Sequence, residues 1–562
     1  MAQSWGRLQN GGTIRGMRFP IASISLALIA PAVAAAQSLP APPFPPENPI
    51  TEPKRILGKA LFWDEQLSSD NTVACGTCHI PSAGGSDPRV DMGSRHPGLN
   101  GVFGDSDDRF ASAGVRLADA NGNLTPDASF GFSPQVTGRR SPTMIGAAFF
   151  DELFWDGRAG STFINPETGQ VSIPSGGALE SQAVGPILSF VEMADEGRTW
   201  ADVRGKLEQV QPLALAANLN PDLVAALAVD PSYPELFESA FGDPAITAER
   251  IGFALATYQR TLHPDQTPWD LYQNGNTGAL NSQERSGMNL FMSGGLRCSQ
   301  CHTPPLFSDG TYRNIGIRDI AEDNGRQGVT GNFSDRGRFK VPTLRNADLR
   351  TRYFHNGDPN WANLFLAVFI YNQGAGPFLD NKDPLVNNVF FSPGTASTIE
   401  AFIRGGLTDP RVAAELPPFD RPLLRSEMGP AATLVGSGRA GAGGGEPQML
   451  AFSPPKVGNG QFRVAVTEAL GGAPAILALR DQAPGAGGGG SLGGVINRSP
   501  SRVAFRTQLS GVGGGQGFGT WNAAIPADPA LVGTQFWMQW NVRDAAAAGG
   551  VARSKWAEVT VY

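Results

Sequence analysis

The sequence predicts a mainly α-helical chain of two similar domains in tandem, followed by a small all-β, sandwich-like module. Three observations carry this expectation. "VACGTCHIP" at 73–81 and "LRCSQCHTP" at 296–304 each hold a Cys-x-x-Cys-His run, made of Cys75, Cys78, His79 and of Cys298, Cys301, His302. Between these runs Ile251, Leu255, Tyr258 and Leu262 fall on one helical face. After Leu424 the period changes to two: Phe462, Val464, Val466, then Val503, Phe505, then Phe536, Met538, Trp540, Val542. Short alternating runs parted by Gly and Pro predict antiparallel strands.

The 562 residues exceed one ordinary core. Residues 1–36 read as an export signal: Arg15 and Arg18 precede an apolar run that ends in Ala34-Ala35-Ala36. Three arginines and no acids leave with it, taking the net charge from −7 to −10. That balance argues against a nucleic-acid binder, and no later run is apolar for long enough to span a bilayer. The expected location is the periplasm. An N-terminal domain over 37–265 and a second over 266–425 each hold one Cys-x-x-Cys-His. A helix is expected in "TWADVRGKLEQVQPLALA", beginning after Thr199. "GSGRAGAGGGEP" makes 426–450 a flexible linker, so the β module over 451–562 should be separable, an accessory or docking unit. "PGAGGGGSLGG" is a loop within it.

The chain has only four cysteines and five histidines. Disulfides would explain the even cysteine number in an exported protein, but not a histidine after each pair. A zinc site would lack its fourth ligand. The run is the attachment signature of c-type haem: two thiols add across the vinyl groups, and the adjacent imidazole reaches the iron. Two covalently bound haems are expected.

Between the two runs the chain reads "GRRSPTMIGAAFFDELFWDGRAG…ESQAVGPILSFVEM". From Ile50 to Leu424 it resembles the bacterial di-haem cytochrome c peroxidase and MauG family. The pieces come in family order: "LGKALFWDEQLSSD", the first haem run, "RRSPT", "LFWDGR", "QAVGPILSFVEM", "ERIGFALATYQRTL", the second haem run, "VPTLRNADLRTRYFHNG" and "LTDPRVAAELPPFDRP". The resemblance implies two cytochrome c-like haem domains, with the first haem the peroxidatic one and the second the electron-transfer one. It also implies that Glu192 is the distal acid/base, that Gln182 and Pro186 belong to the distal pocket, and that Trp155 lies between the haems. Asp156 and Arg158 would hold that turn together. One carboxylate can take a proton from the peroxide oxygen bound to iron and protonate the other oxygen as it leaves. Residues 161–179, "STFINPETGQVSIPSGGAL", read as an insertion that either shapes access or makes a surface excursion.

His79 and His302 are the proximal ligands. His96 lies near where the family places a removable distal histidine, in surroundings that depart from the pattern. His263 reads as structural, and His355 as supporting. Where the peroxidases use a methionine on the second haem this chain has Tyr371, the MauG-like choice; a phenolate ligand gives a low potential. The family often carries calcium between its domains, but Arg140 replaces the usual asparagine. Asp119, Asn121 and Asn123 alternate as in a calcium loop, with a solvated loop as the other reading. The expected function is reduction of hydrogen peroxide with electrons from an external donor protein such as a small cytochrome c. The alternatives are MauG-like oxidation of a protein residue and a non-catalytic di-haem electron carrier; the carrier needs no acid/base pocket.

Overall fold

A computed structural model describes residues 39–90, 93–372, 374–481, 483–484 and 503–562. The expected signal at 1–36 and most of the loop at 484–494 lie outside these. Helices occur throughout 52–413 and strands dominate from 433 onward. About 29% of the described residues are helical, less than a mainly α chain implies. The longest described helix, Ala248–Thr261, has 14 residues. The expected helix after Thr199 does start there, capped by the Thr199 hydroxyl and the Asp202 carboxylate. It stops at Leu207, ahead of Pro212, whose ring disfavours helix in the residue before it.

One core forms where the Glu52–Trp63 and Ala248–Thr261 helices cross. Leu57, Leu61, Trp63, Ile251, Leu255 and Tyr258 are buried there. The four residues of the expected helical face, Leu262 included, all point inward. A second core gathers Trp269, Phe291, Phe307 and Phe402, their rings 4.9 to 5.9 Å apart and tilted edge to face.

The C-terminal strands form two antiparallel sheets. In one, Phe462–Gly471 lies between Gln448–Ala451 and Gly513–Ala523. The other runs Val503–Gln508, Pro474–Arg480, Gln535–Arg543, Trp556–Thr560, Thr433–Val435, with Val551–Arg553 also beside Gln535–Arg543. Phe462, Val464, Val466, Phe536, Met538, Trp540 and Val542 fill the space between them, as the alternation predicts.

The opposite face of the Phe462–Gly471 strand is not solvated, and here the expectation of a separable module on a loose linker needs correcting. Arg463 and Ala465 point at the N-terminal part of the chain. Arg463, 3% exposed, forms a bidentate pair with Asp195. Ala465 packs with Ala118 and Leu124. The expected linker contributes the Thr433–Val435 strand just before its glycine-rich run, and at its start Glu65 accepts the N–H groups of Arg425 and Ser426 at 2.7 and 3.0 Å. Glycine content signalled freedom, but sheet pairing and these contacts remove it.

The expected calcium loop takes part in the same contact. Asp119 Oδ1 accepts the N–H groups of Asn121 and Asn123, and Oδ2 accepts Asn123 Nδ2. The loop's own donors thus occupy the carboxylate. Asn121 O accepts from Asn522 Nδ2, and the Leu124 N–H donates to Thr520 Oγ1. The loop is a ledge for the sandwich.

Candidate functional site

Each Cys-x-x-Cys is a single helical turn, Cys75–Cys78 and Cys298–Cys301. Gly76 lets the first turn sit on Trp63, since a Cβ there would lie 2.2 Å from the indole. All four thiols are free. Burial pushes Cys75 and Cys78 up to about 12 and Cys298 and Cys301 up to about 11. Among the described residues no three His, Cys, Asp or Glu side chains group as a metal site.

The two histidines are held alike. His79 Nδ1 donates to Gly85 O at 3.1 Å, and His302 Nδ1 donates to Phe307 O at 3.0 Å. Burial lowers the pKa of both and keeps them neutral. A proton fixed on Nδ1 leaves the Nε2 lone pair for a metal, the arrangement that orients imidazole ligands. These donors fit haem iron in kind and in posture.

Cys75, Cys78 and His79 line a cavity of about 730 Å³ together with Gln182, Pro186 and Glu192, a size suited to a cofactor. Gln182 lies on the Ala178–Ala183 helix and Pro186 starts the next short turn. Glu192 lies in a tight bend in which Ser189 O accepts the N–H groups of Glu192, Met193 and Ala194 at 3.0, 2.9 and 2.9 Å. Gly114 passes behind this bend; a Cβ there would lie 2.0 Å from Val191 O and 2.7 Å from Glu192 Cα. Burial raises the pKa of the Glu192 carboxyl, opposed by the Ser189 hydrogen bond and the Arg158 charge.

A narrower cavity of about 180 Å³ is lined by Cys298, Cys301, His302, Tyr371 and His355. Tyr371 follows the Leu364–Phe369 helix; burial and the neighbouring thiols raise the pKa of its phenol. Trp155 faces both cavities. Its Nε1 donates to Arg140 O at 2.7 Å, and its carbonyl accepts the Lys340 N–H at 2.8 Å. Asp156 pairs with Arg158, as expected, and also with Arg139. Arg139 in turn grips Asp323 with two nitrogens.

The other histidines separate. His96 pairs in a two-residue strand with Arg109 and turns its ring to Phe130, 5.8 Å away; it is not among the residues lining the first cavity. His263 stands against Phe149 at 5.6 Å. His355 stacks on Phe339 at 3.6 Å and meets Trp155 edge-on at 6.3 Å. The insertion at 161–179 forms a hairpin, Phe163–Ile164 with Val171–Ile173. None of its residues lines the cavity; Ile164 and Val171 are exposed, while Phe163, Ile173, Ala178 and Leu179 are buried and tie the hairpin to the helix that carries Gln182. Sequence reasoning missed Arg350, Lys340 and the Arg139–Asp323 pair. The tandem arginines of "RRSPT" were the available signal for the last.

A family model described as di-haem cytochrome c peroxidase matches residues 52–278. The cytochrome c551 peroxidase of Nitrosomonas europaea is 30% identical over 348 residues, 61% of this chain and 80% of that protein. The methylamine utilization protein MauG of Methylorubrum extorquens is 31% identical over 323 residues, 56% and 68%. A crystal structure of a MauG-like protein associated with microbial copper homeostasis superposes with a TM-score of 0.49 at 23% identity, covering 68% of this chain and 96% of that one.

Proposed function

Given that the chain belongs to the di-haem cytochrome c peroxidase family, and is therefore an oxidoreductase acting on peroxide, we propose how its own residues divide the work. Residues 37–265 handle peroxide and 266–425 receive electrons, which come one at a time from a small cytochrome c or similar donor. The haems are covalently bound through Cys75 and Cys78 and through Cys298 and Cys301, after export to the periplasm directed by residues 1–36. Bound haem supplies the iron at which the O–O bond of peroxide is reduced. Glu192 takes a proton from one peroxide oxygen and returns it to the other, so that two electrons and two further protons yield two waters. Gln182 orients peroxide from the adjacent helix. Trp155, locked by Arg140 and Lys340, fixes the spacing of the two sites.

The observation that supports this reading is that Glu192 lines one cavity together with His79 and its cysteines. An electron carrier has no use for a half-buried carboxyl there. Tyr371 in the second cavity favours a second reading, MauG-like oxidation of a protein residue, because an anionic oxygen ligand lowers the potential relative to a thioether. Peroxide turnover with reduced cytochrome c tests the first reading. No donor oxidation alongside peroxide-dependent oxidation of a protein would favour the second. Tyr371→Met is expected to raise the potential of one haem and speed cytochrome c oxidation; an unmoved potential removes Tyr371 as a ligand.

A further inference from the structure

Six residues line both cavities: Arg140, Trp155, Asp323, Lys340, Pro342 and Arg350. The charges in this shared wall do not balance. Asp323 is its one carboxylate and is already held by Arg139, which donates from two nitrogens at 2.8 and 2.6 Å. The three cations have no such partner. Arg140, 3% exposed, donates to Ser86 Oγ at 2.6 Å and to Phe354 O at 3.1 Å. Arg350, 7% exposed, reaches only Thr343 O and Arg345 O, each at 3.4 Å, and its Nε is buried without a hydrogen-bond partner. Lys340 Nζ lies 3.4 Å from Gly310 O and 4.4 Å from the centre of the Tyr312 ring. Among the described residues none of the three is ion-paired to a carboxylate.

Uncompensated buried charge is expensive, and proteins keep it where an anion completes the site. Burial pulls Arg140 down to about 9, Arg350 to about 10 and Lys340 to about 8, the direction expected of cations whose counter-charge has yet to arrive. Each cysteine pair lines one cavity, whereas the three cations line both. A haem bonded through its vinyl edge still carries two carboxylate arms, on the edge away from those bonds. A planar guanidinium is the side chain best shaped to hold carboxylates through paired hydrogen bonds.

We propose that Arg140, Arg350 and Lys340 form one carboxylate-binding site shared by the two haems, a cationic bridge that anchors the acid arms of both at a common wall. This rests on reading both cavities as haem sites. The expectation peculiar to a shared site is that one substitution acts on two cofactors. A cation beside a haem favours its reduced, less positive form, so removing it lowers the potential.

Arg140→Gln and Arg350→Gln are compared with wild type by alkaline pyridine haem assay and by spectroelectrochemical titration of each haem. Two haems per wild-type chain verify the underlying reading; fewer than two would fail that reading before the bridge is tested. With two haems retained, both potentials should fall together, and Arg140→Lys should restore part of the fall. Two unmoved potentials, or a shift confined to one haem, would overturn the bridge. Should Arg140→Gln not accumulate as holoprotein, Lys340→Gln at the half-buried end of the wall applies the same test. A joint fall again supports the bridge, and unmoved potentials again overturn it.

Discussion

Glu192 is held by its own backbone bend rather than by a charged partner, and burial keeps its pKa above the ordinary 4.5 of a glutamate. Glu192→Gln preserves shape and removes the transferable proton. Peroxide turnover should fall roughly 10²- to 10⁴-fold, the usual worth of a positioned acid/base group. The sign of the pH effect follows from the raised pKa. The carboxylate is the form that accepts the first proton, so kcat/KM should drop on acidification in a limb lying above pH 4.5, and a pH profile of Glu192→Gln should lack that limb. At this scale the sequence was most legible where chemistry is written in neighbouring positions, as in each Cys-x-x-Cys-His and in "SFVEM". It was least legible at the shared wall, because Arg140 and Arg350 lie 210 positions apart in the sequence and neither stands in a motif with the other.

The bend that carries Glu192 has its shape because another element makes room for it. Gly114 lies in the Ala113–Arg116 strand, paired with Pro134–Val136, and brings that strand against Val191 and Glu192 closer than any side chain allows. Gly114→Ala should therefore displace the bend and cut turnover while both haems stay attached; kcat, haem content and melting temperature measured together separate this from general unfolding. Periodicity identified the element types correctly at Ile251–Leu262 and in the Phe462 and Phe536 strands. It could not reveal that the polar face of the Phe462 strand meets protein rather than water, since Arg463 reads like any solvated strand residue until Asp195 appears opposite it. Asp119, Asn121 and Asn123 show the same limit: oxygen spacing resembled a cation loop, while the oxygens are taken by the loop's own N–H groups.

Across the whole molecule, the sandwich is joined to the N-terminal part of the chain through an ion pair only three positions beyond Glu192. Arg463 is 3% exposed and its side chain is closed over Asp195. Breaking such a pair from one side strands the other charge, at a cost of about 3–5 kcal/mol. Arg463→Ala should lose about that much in denaturant unfolding, far beyond the effect of a surface arginine, and a loss under 1 kcal/mol would make the contact incidental. The wall common to the two cavities also means that they share a boundary: Arg140 and Trp155 come from one stretch of the chain, Asp323, Lys340, Pro342 and Arg350 from another, and each residue serves both spaces at once. A change of shape on one side of that wall is therefore a change of shape on the other, and neither space can be redesigned alone.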